Sequence, residues 1–205
     1  IICDRRKLAA FTNLNGNIFF RSMCMLCITT NFTALSAGLG SIPLAANNLL
    51  MQLQMLISFG ADGFANAVEA MVGEAIGQKD CGRLHGAFLA ALRWSVALAL
   101  GYVVLFVSCG HLLLSALTWH KAVVDYCSRY LWWQWIAPPL SVTAYIMDGV
   151  FVGATRSLDM RNATGLAMLV FLAVSHSWRQ SNDALWLSYL LHLVVRGLFL
   201  SWRYR

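Results

Sequence analysis

One carboxyl group stands apart because it lies inside a long apolar stretch. Asp148 is the only formally charged residue between Arg129 and Arg156. A charge inside a bilayer costs about 2.5–3.5 kcal/mol on insertion scales, so each one needs a compensating partner or a function. Apolar surroundings favour the neutral form of a carboxyl group, which suits a site that binds and releases a proton or a sodium ion. The alternative is a structural aspartate, capped by hydrogen bonds or paired with Arg156.

Other polar groups share a helix face with this carboxyl group. Residues three or four apart lie on one side of a helix, so Ser141, Tyr145 and Thr155 line up with Asp148. Tyr145 is therefore a second candidate for a polar site. Asn31, near the middle of an earlier apolar stretch, is a third, because such residues either bond helix to helix or line a polar vestibule.

A longer polar stripe follows a segment with helical periodicity. Asn48, Gln52, Asp62, Asn66 and Glu69 fall close to one helix face. Lipid would penalise such a face, so it should point to the bundle interior or to a water-filled cavity. Asn48 and Gln52 either line this cavity or hydrogen-bond a neighbouring helix. Asp62 falls near the predicted membrane edge, and Glu69 falls beyond it on an amphipathic helix end.

Catalytic and metal-binding motifs are missing from the sequence. Cys24 and Cys27 form a C-x-x-C pair inside an apolar run, but no second pair lies at metal-ligand spacing, and the five histidines are scattered. Gly60 to Gly63 is not a phosphate-binding loop, since no Gly-Lys-Ser/Thr follows. No nucleophile elbow, metalloprotease helix or dinucleotide fingerprint occurs. We therefore expect no enzyme activity, no metal and no cofactor.

The composition is that of a membrane protein. Of 205 residues, 59% are hydrophobic and only 12% are charged, whereas a soluble domain carries roughly 25% charged residues. The net charge of +6 comes from short basic clusters between apolar runs. Nucleic-acid binding needs basic residues gathered on one face, so this spacing argues against it.

The apolar runs predict an all-α, polytopic membrane protein of about six transmembrane helices, since a span needs about 20 apolar residues. Pro138 and Pro139 should bend the fourth span. The predicted spans cover residues 18–39, 42–76, 84–109, 130–154, 163–177 and 184–202.

The basic residues orient these spans by the positive-inside rule. They cluster before span one, between spans two and three, between spans four and five, and after span six. Both chain ends are therefore expected in the cytoplasm, with the lipid bilayer of the cell inner (plasma) membrane around the spans. Tryptophans flanking the spans read as interfacial anchors. The clustered basic residues are Arg5, Arg6, Lys7, Lys79, Arg83, Arg156, Arg161, Arg203 and Arg205; the opposite loops hold Lys121, Arg129 and Arg179; the tryptophans are Trp119, Trp132, Trp133, Trp135, Trp178, Trp186 and Trp202.

Two segments carry a resemblance to a known family. Residues 62–77 (DGFANAVEAMVGEAIG) resemble the end of the eighth helix in the MATE (multidrug and toxic compound extrusion) family, in its DinF-type branch. Residues 148–157 (DGVFVGATRS), followed by Met160, Arg161 and Asn162, are similar to the tenth helix and following loop of that branch. Residues 44–47 (LAAN), 185–187 (LWL) and 196–198 (RGL) fit in register.

The resemblance implies that the six spans are helices seven to twelve of a twelve-helix transporter. They would form its C-terminal lobe, and the N-terminal lobe of the same protein, which this chain lacks, would be its partner. In such transporters an organic substrate passes through a cleft between the lobes in exchange for H+ or Na+. In the DinF-type branch the coupling carboxylate lies in the first helix, outside this chain. When the Gly-Ala-Thr-Arg segment is aligned, Tyr145 falls nearer than Asp148 to the tenth-helix acid of sodium-coupled relatives.

The sequence and the resemblance thus predict secondary-active efflux of organic compounds, including cationic or amphipathic ones, by H+- or Na+-coupled antiport with alternating access. The candidate ion-coupling or cleft-lining residues are Asp148, Tyr145, Asn31, Asn48, Gln52 and Asp62. One alternative is a lipid-linked oligosaccharide flippase, which would need a cationic cleft; its candidates Arg21, Arg93 and Arg196 can all snorkel to interfaces. The other is a non-transporting six-span membrane subunit, which should fold stably alone.

Overall fold

The chain folds into a bundle of long helices. The computed structural model describes residues 5–177 and 181–204, with side chains from residue 11 onward. The sequence predictions for Trp178, Arg179 and Arg205, and for the side chains of Arg5, Arg6 and Lys7, lie outside the described residues.

Within those ranges the chain forms seven helices and no strand. Six of them are long and apolar enough to cross a membrane, which confirms the predicted all-α fold with six spans. The exception is α4, which at 10 residues is about 15 Å long and too short to span. The helices are α1 (Arg5–Gly38), α2 (Ser41–Gln78), α3 (Cys81–Leu117), α4 (Lys121–Tyr130), α5 (Trp132–Gly153), α6 (Ser157–Ser177) and α7 (Asn182–Arg203).

Several helices extend beyond the predicted spans. The sixth helix begins at Ser157, six residues before the predicted start of the fifth span, with Asp159 in its first turn. An acidic side chain there favours helix initiation through the helix dipole. The short α4 was not expected. Its Val123, Val124 and Cys127 are buried, and the Cys127 thiol lies 3.5 Å from the Ala46 carbonyl oxygen of α2.

The bundle has two distinct ends. At one, which we name the basic end, the α2–α3 turn, the α5–α6 turn and the end of α7 come together. There Asp159 pairs with Arg156 at 2.7 Å and with Arg203 at 2.8 Å, which ties the α5–α6 turn to α7. The opposite end, the far end, holds the α1–α2 turn, α4 and the start of α7. Basic residues thus gather at the end that the charge rule assigns to the cytoplasm.

Two glycines let α5 approach α2 closely. Gly149 and Gly153 form a G-x-x-x-G pair on one face of α5. A Cβ atom added at Gly149 would overlap the Ala65 backbone, and one added at Gly153 would overlap the Glu69 backbone. Small residues at this spacing bring helix backbones together in membranes, where packing replaces the hydrophobic effect. The contact fixes the register of the two helices that carry most of the candidate site.

Replacing Gly149 or Gly153 with alanine should therefore lower the stability of the bundle. Forcing a methyl group into a packed contact costs about 1–3 kcal/mol of stability. Thermal unfolding of the full-length protein in detergent would measure this loss. Gly63→Ala in α2 is the matched control, since a Cβ atom at Gly63 meets no atom within 4 Å. Equal losses in the variants and the control would contradict the packing role.

A buried hydrogen-bond cluster joins three helices at the far end. The Asn47 amide of α2 donates to the Ser36 hydroxyl of α1 at 2.8 Å and to the Asn182 side-chain oxygen of α7 at 2.6 Å. Its own oxygen accepts from the Trp186 indole N–H at 2.9 Å. Asn47 and Trp186 are both fully buried. Every polar atom of the Asn47 side chain is thus used to hold the far end closed.

This cluster corrects one prediction for the tryptophans. Trp186 is not an interfacial anchor, because its indole is buried in the cluster. Trp133 is also buried, and its N–H donates to Asp183 at 3.1 Å. Trp119, Trp132, Trp135 and Trp202 are exposed, as an anchor requires.

Asn47→Leu should destabilise the protein by about 2–4 kcal/mol, because it leaves the Trp186 N–H and two further buried polar groups without partners. The neighbouring Asn48 is exposed, so Asn48→Leu makes the same chemical change without breaking the cluster. Thermal unfolding of the two variants would compare them. A loss of stability in Asn48→Leu as large as in Asn47→Leu would contradict the role of the cluster.

Candidate functional site

An ion network lies inside the spanning part of the bundle. Arg21 of α1 contacts Asp148 of α5 with its Nη2 2.6 Å from Oδ2. Arg196 of α7 reaches the same carboxylate oxygen at 3.5 Å. Arg196 is 1% exposed and Asp148 is 9% exposed. We call Arg21, Asp148 and Arg196 the ion triad; it joins three helices through one carboxylate.

The second prediction for Asp148, a partnership with Arg156, is wrong. Arg156 lies eight residues later in the chain and pairs with Asp159 at the basic end. The partners of Asp148 instead come from helices distant in sequence, because α7 packs against α5 and the long Arg21 side chain reaches α5 from α1. The sequence allows Arg21 and Arg196 to snorkel to an interface, but in the structure both guanidinium groups contact the Asp148 carboxylate.

Neighbouring side chains complete the surroundings of Arg196. Its guanidinium lies over the Tyr145 ring at 5.7 Å, a distance at which a cation interacts with an aromatic face. Its Nη1 also donates to the Met25 sulfur at 3.4 Å. Tyr145 is itself buried. The structure therefore brings Tyr145 and Asp148 together, but as neighbours of a shared arginine rather than as two groups facing open space.

A mixed polar and apolar surface runs along α2. Asn48, Gln52, Asp62 and Asn66 are exposed on one face of this helix. Between them, Met55 is 59% exposed and Phe59 is 70% exposed. We name these six residues the α2 stripe. Within the part of the chain that the structure describes, no helix covers it.

The α2 stripe meets the ion triad at Asp62. The Ser58 hydroxyl lies one helical turn before this carboxylate, which interacts electrostatically with Asp148, Arg196 and Arg21. Among the described ion pairs, however, none involves Asp62. Asp62 thus lies beside Asp148, which is five residues before the end of α5; its position near the membrane edge stays a prediction. Asp62 is thus an exposed carboxylate next to a buried, paired one.

The remaining predicted site residues lie farther away. Gln52 and Asn48 share the face of Asp62 but precede it by 10 and 14 residues, or about 15 and 21 Å along the helix. The Asn31 amide donates to the Cys27 carbonyl oxygen of its own helix at 2.9 Å. Asn31 shares a face of α1 with Phe20, which lies beside Gly165 of α6. The structure therefore does not bring Asn31 to the ion triad.

Sequence reasoning missed His192, which extends the polar region within the bundle. It lies one turn before Arg196 on α7 and is fully buried. Its ring packs edge-on against Tyr189, with centroids 4.7 Å apart. The sequence contains a signal for this residue, because His192 and Arg196 form an i, i+4 pair of basic residues in an apolar run. Among the described residues, no group of three histidine, cysteine or acidic side chains is arranged to hold a metal.

Asp148→Asn should destabilise the bundle, because it leaves Arg21 and the buried Arg196 without their counter-ion. Removing one partner of a buried ion pair costs about 3–5 kcal/mol. The same change at the exposed Asp62 breaks no ion pair, so Asp62→Asn is the matched control. Thermal unfolding would measure both, and an equally stable Asp148→Asn variant would contradict the structural role of the triad.

Comparisons with known proteins agree with this architecture. The family model MatE matches residues 18–176. DNA damage-inducible protein F of Escherichia coli (strain K12) is 38% identical over 203 residues, covering 97% of this chain and 43% of that protein. Protein DETOXIFICATION 42 of Arabidopsis thaliana is 28% identical over 208 residues, covering 96% of this chain and 39% of that protein. The chain thus spans less than half the length of these curated relatives.

Solved structures show the same fold. The MATE transporter ClbM in complex with Rb+ superposes with a TM-score of 0.84 at 15% identity, covering 95% of this chain and 46% of that one. A crystal structure of MATE in the bent conformation superposes with a TM-score of 0.81 at 17% identity, covering 94% of this chain and 44% of that one. The chain therefore belongs to the MatE family of MATE membrane transporters, and its six spans have the fold of one lobe of these proteins.

Proposed function

We propose that this chain is one lobe of a secondary-active exporter, which moves organic compounds out of the cytoplasm in exchange for H+ or Na+ by alternating access. Membership of a transporter family supports transport as the activity. The N-terminal lobe of the same protein would then form the other wall of the substrate cleft. The sequence motifs and the share of each relative that the chain covers both support this two-lobe arrangement.

The observation that carries the proposal is the exposed α2 stripe. Amides and a carboxylate facing lipid would each cost free energy, because the bilayer core offers no hydrogen-bond partners. A water-filled cleft against a second lobe removes that cost. Met55 and Phe59, which lie between the polar groups, supply apolar contact area at the same surface. A surface of this kind suits organic molecules with both an apolar body and a polar or cationic group.

Asp62 fits the coupling role better than Asp148 does. A coupling carboxylate must gain and lose its ion in every cycle. Releasing Asp148 from its partners would leave two guanidinium groups without a counter-ion in apolar surroundings, which costs several kcal/mol. Asp62 is exposed on the cleft side and has a hydroxyl neighbour, Ser58. In this proposal the ion triad is a fixed support, and Asp62 binds the coupling ion beside it.

The alternatives have less support. A lipid-linked oligosaccharide flippase would hold a pyrophosphate with free cationic groups, but Arg21 and Arg196 are both engaged by Asp148. A non-transporting six-span subunit gives no reason for an uncovered polar stripe on a spanning helix. The proposed location is the cell inner membrane with both chain ends in the cytoplasm, which is supported by the basic residues at one end of the bundle.

Gradient-driven transport by the full-length protein in sealed vesicles would test the coupling role. Asp62→Asn should lower ion-driven efflux by about tenfold or more, because it removes the carboxylate that binds the coupling ion. A tenfold loss corresponds to about 1.4 kcal/mol of coupling free energy. Imposing a proton gradient or a sodium gradient separately would identify the ion.

The matched control is Asn66→Ala, one helical turn away on the same stripe, which removes a polar group without removing a carboxylate. It should keep ion dependence even if substrate affinity changes. Undiminished coupled efflux in Asp62→Asn would rule out Asp62 as the coupling group. Absence of efflux under either gradient in the unmodified protein would overturn the exporter proposal itself.

A further inference from the structure

A groove of about 760 Å³ lies between α1 and α6, away from the α2 stripe. Its polar part is built from Asn13 and Asn17 of α1 with Arg161 and Asn162 of α6. Its apolar part includes Phe20 and Leu169. The two helices run in the same direction, since Asn17 lies beside Ser157 and Phe20 beside Gly165. The groove therefore runs along the two parallel helices.

Among the described residues, no carboxylate forms an ion pair with Arg161, the one basic residue that lines the groove. Arg161 donates to the Asn17 side-chain oxygen at 3.1 Å and to the Asn162 side-chain oxygen at 3.2 and 3.3 Å. These amide oxygens hold the guanidinium in place but are neutral. The nearby carboxylate of Asp159 is taken by Arg156 and Arg203. Among the residues that line the groove, none is acidic.

The polar and apolar parts are stacked by depth. Arg161 lies near the start of α6 at the basic end, and Leu169 follows eight residues later, about 12 Å farther into the bundle. A basic group at headgroup level with an apolar channel at acyl-chain level matches the two parts of a phospholipid. Basic pockets between spanning helices on the cytoplasmic side bind the headgroups of anionic lipids.

We propose that the α1–α6 groove is a binding site for an anionic phospholipid, with Arg161 and the flanking amides holding the headgroup phosphate and Phe20 and Leu169 contacting the acyl chains. The site is separate from the proposed transport cleft and does not depend on the transported substrate. Asn17 positions Arg161 through its side-chain oxygen and is itself anchored by its donation to the Ser157 hydroxyl at 3.1 Å.

Glycine keeps the groove open. Gly16 lines it, and a Cβ atom added there meets no atom within 4 Å. A Cβ atom at this position thus has open space around it, and a larger side chain would extend from it into the groove. Gly16→Phe therefore fills the site while leaving its charge unchanged, and Arg161→Gln removes the charge while leaving the space.

The test uses full-length protein in nanodiscs that contain equal amounts of phosphatidylglycerol and phosphatidylcholine, with native mass spectrometry to count the lipids retained after release. The unmodified protein should retain phosphatidylglycerol in preference to phosphatidylcholine. Arg161→Gln should reduce this preference by about fivefold, the factor given by ~1 kcal/mol per basic residue at an anionic surface. Arg161→Lys should keep most of it. Gly16→Phe should reduce retention of both lipids.

Arg93→Gln is the matched control, because Arg93 is an exposed arginine of α3 outside the groove. An equal loss of preference in Arg93→Gln would assign the effect to overall charge and overturn the proposal. Unchanged lipid retention in Gly16→Phe would overturn the proposal too, because it would show that the retained lipid does not occupy the groove. Displacement of the lipid by inorganic phosphate would assign the site to free phosphate instead.

Discussion

The structure depends on one constraint: a charge inside a membrane must be paired. Arg21 and Arg196 come from the first and last helices of the bundle, and both are held by Asp148 of α5. This pairing fixes three helices relative to one another at a depth where an unpaired charge would cost several kcal/mol. The close contact of Gly149 and Gly153 with α2 begins at the next residue of α5. Thus α5 is the central helix, joined by charge to α1 and α7 and by backbone packing to α2.

Because Asp148 is occupied by two guanidinium groups, the proposed function assigns transport to another polar surface. That proposed surface is the α2 stripe, on which Asp62 lies near the triad. The far end is closed by the Asn47 hydrogen-bond cluster, which joins α1, α2 and α7. The contacts at the far end and at the triad hold these helices together as one unit, which the proposed alternating-access mechanism would require.

Much of the fold follows from the sequence, because span length and the spacing of apolar residues are local properties. The six spans and the common face of Asn48, Gln52 and Asp62 could be predicted in this way. The partners of Asp148 could not, since Arg21 is 127 residues away in the chain and helical periodicity gives no information on which helices pack together. The burial of Trp186 was missed for the same reason: its partner Asn47 lies 139 residues earlier. The position of Trp186 near the end of a span predicts an interfacial anchor, and only the tertiary structure reveals its hydrogen bond to Asn47.

The central claim is that the α2 stripe faces water rather than lipid, and thiol labelling of single-cysteine variants of the full-length protein tests it most directly. In a background without the native cysteines, Gln52→Cys would be compared with Val104→Cys, an exposed position on α3. The two positions lie at similar depth, because the Tyr102 hydroxyl of α3 donates to the Leu56 carbonyl oxygen of α2 and each position is within one turn of that contact. A water-soluble, charged maleimide should modify Gln52→Cys in the membrane and leave Val104→Cys unmodified. Equal protection of both positions would contradict the account.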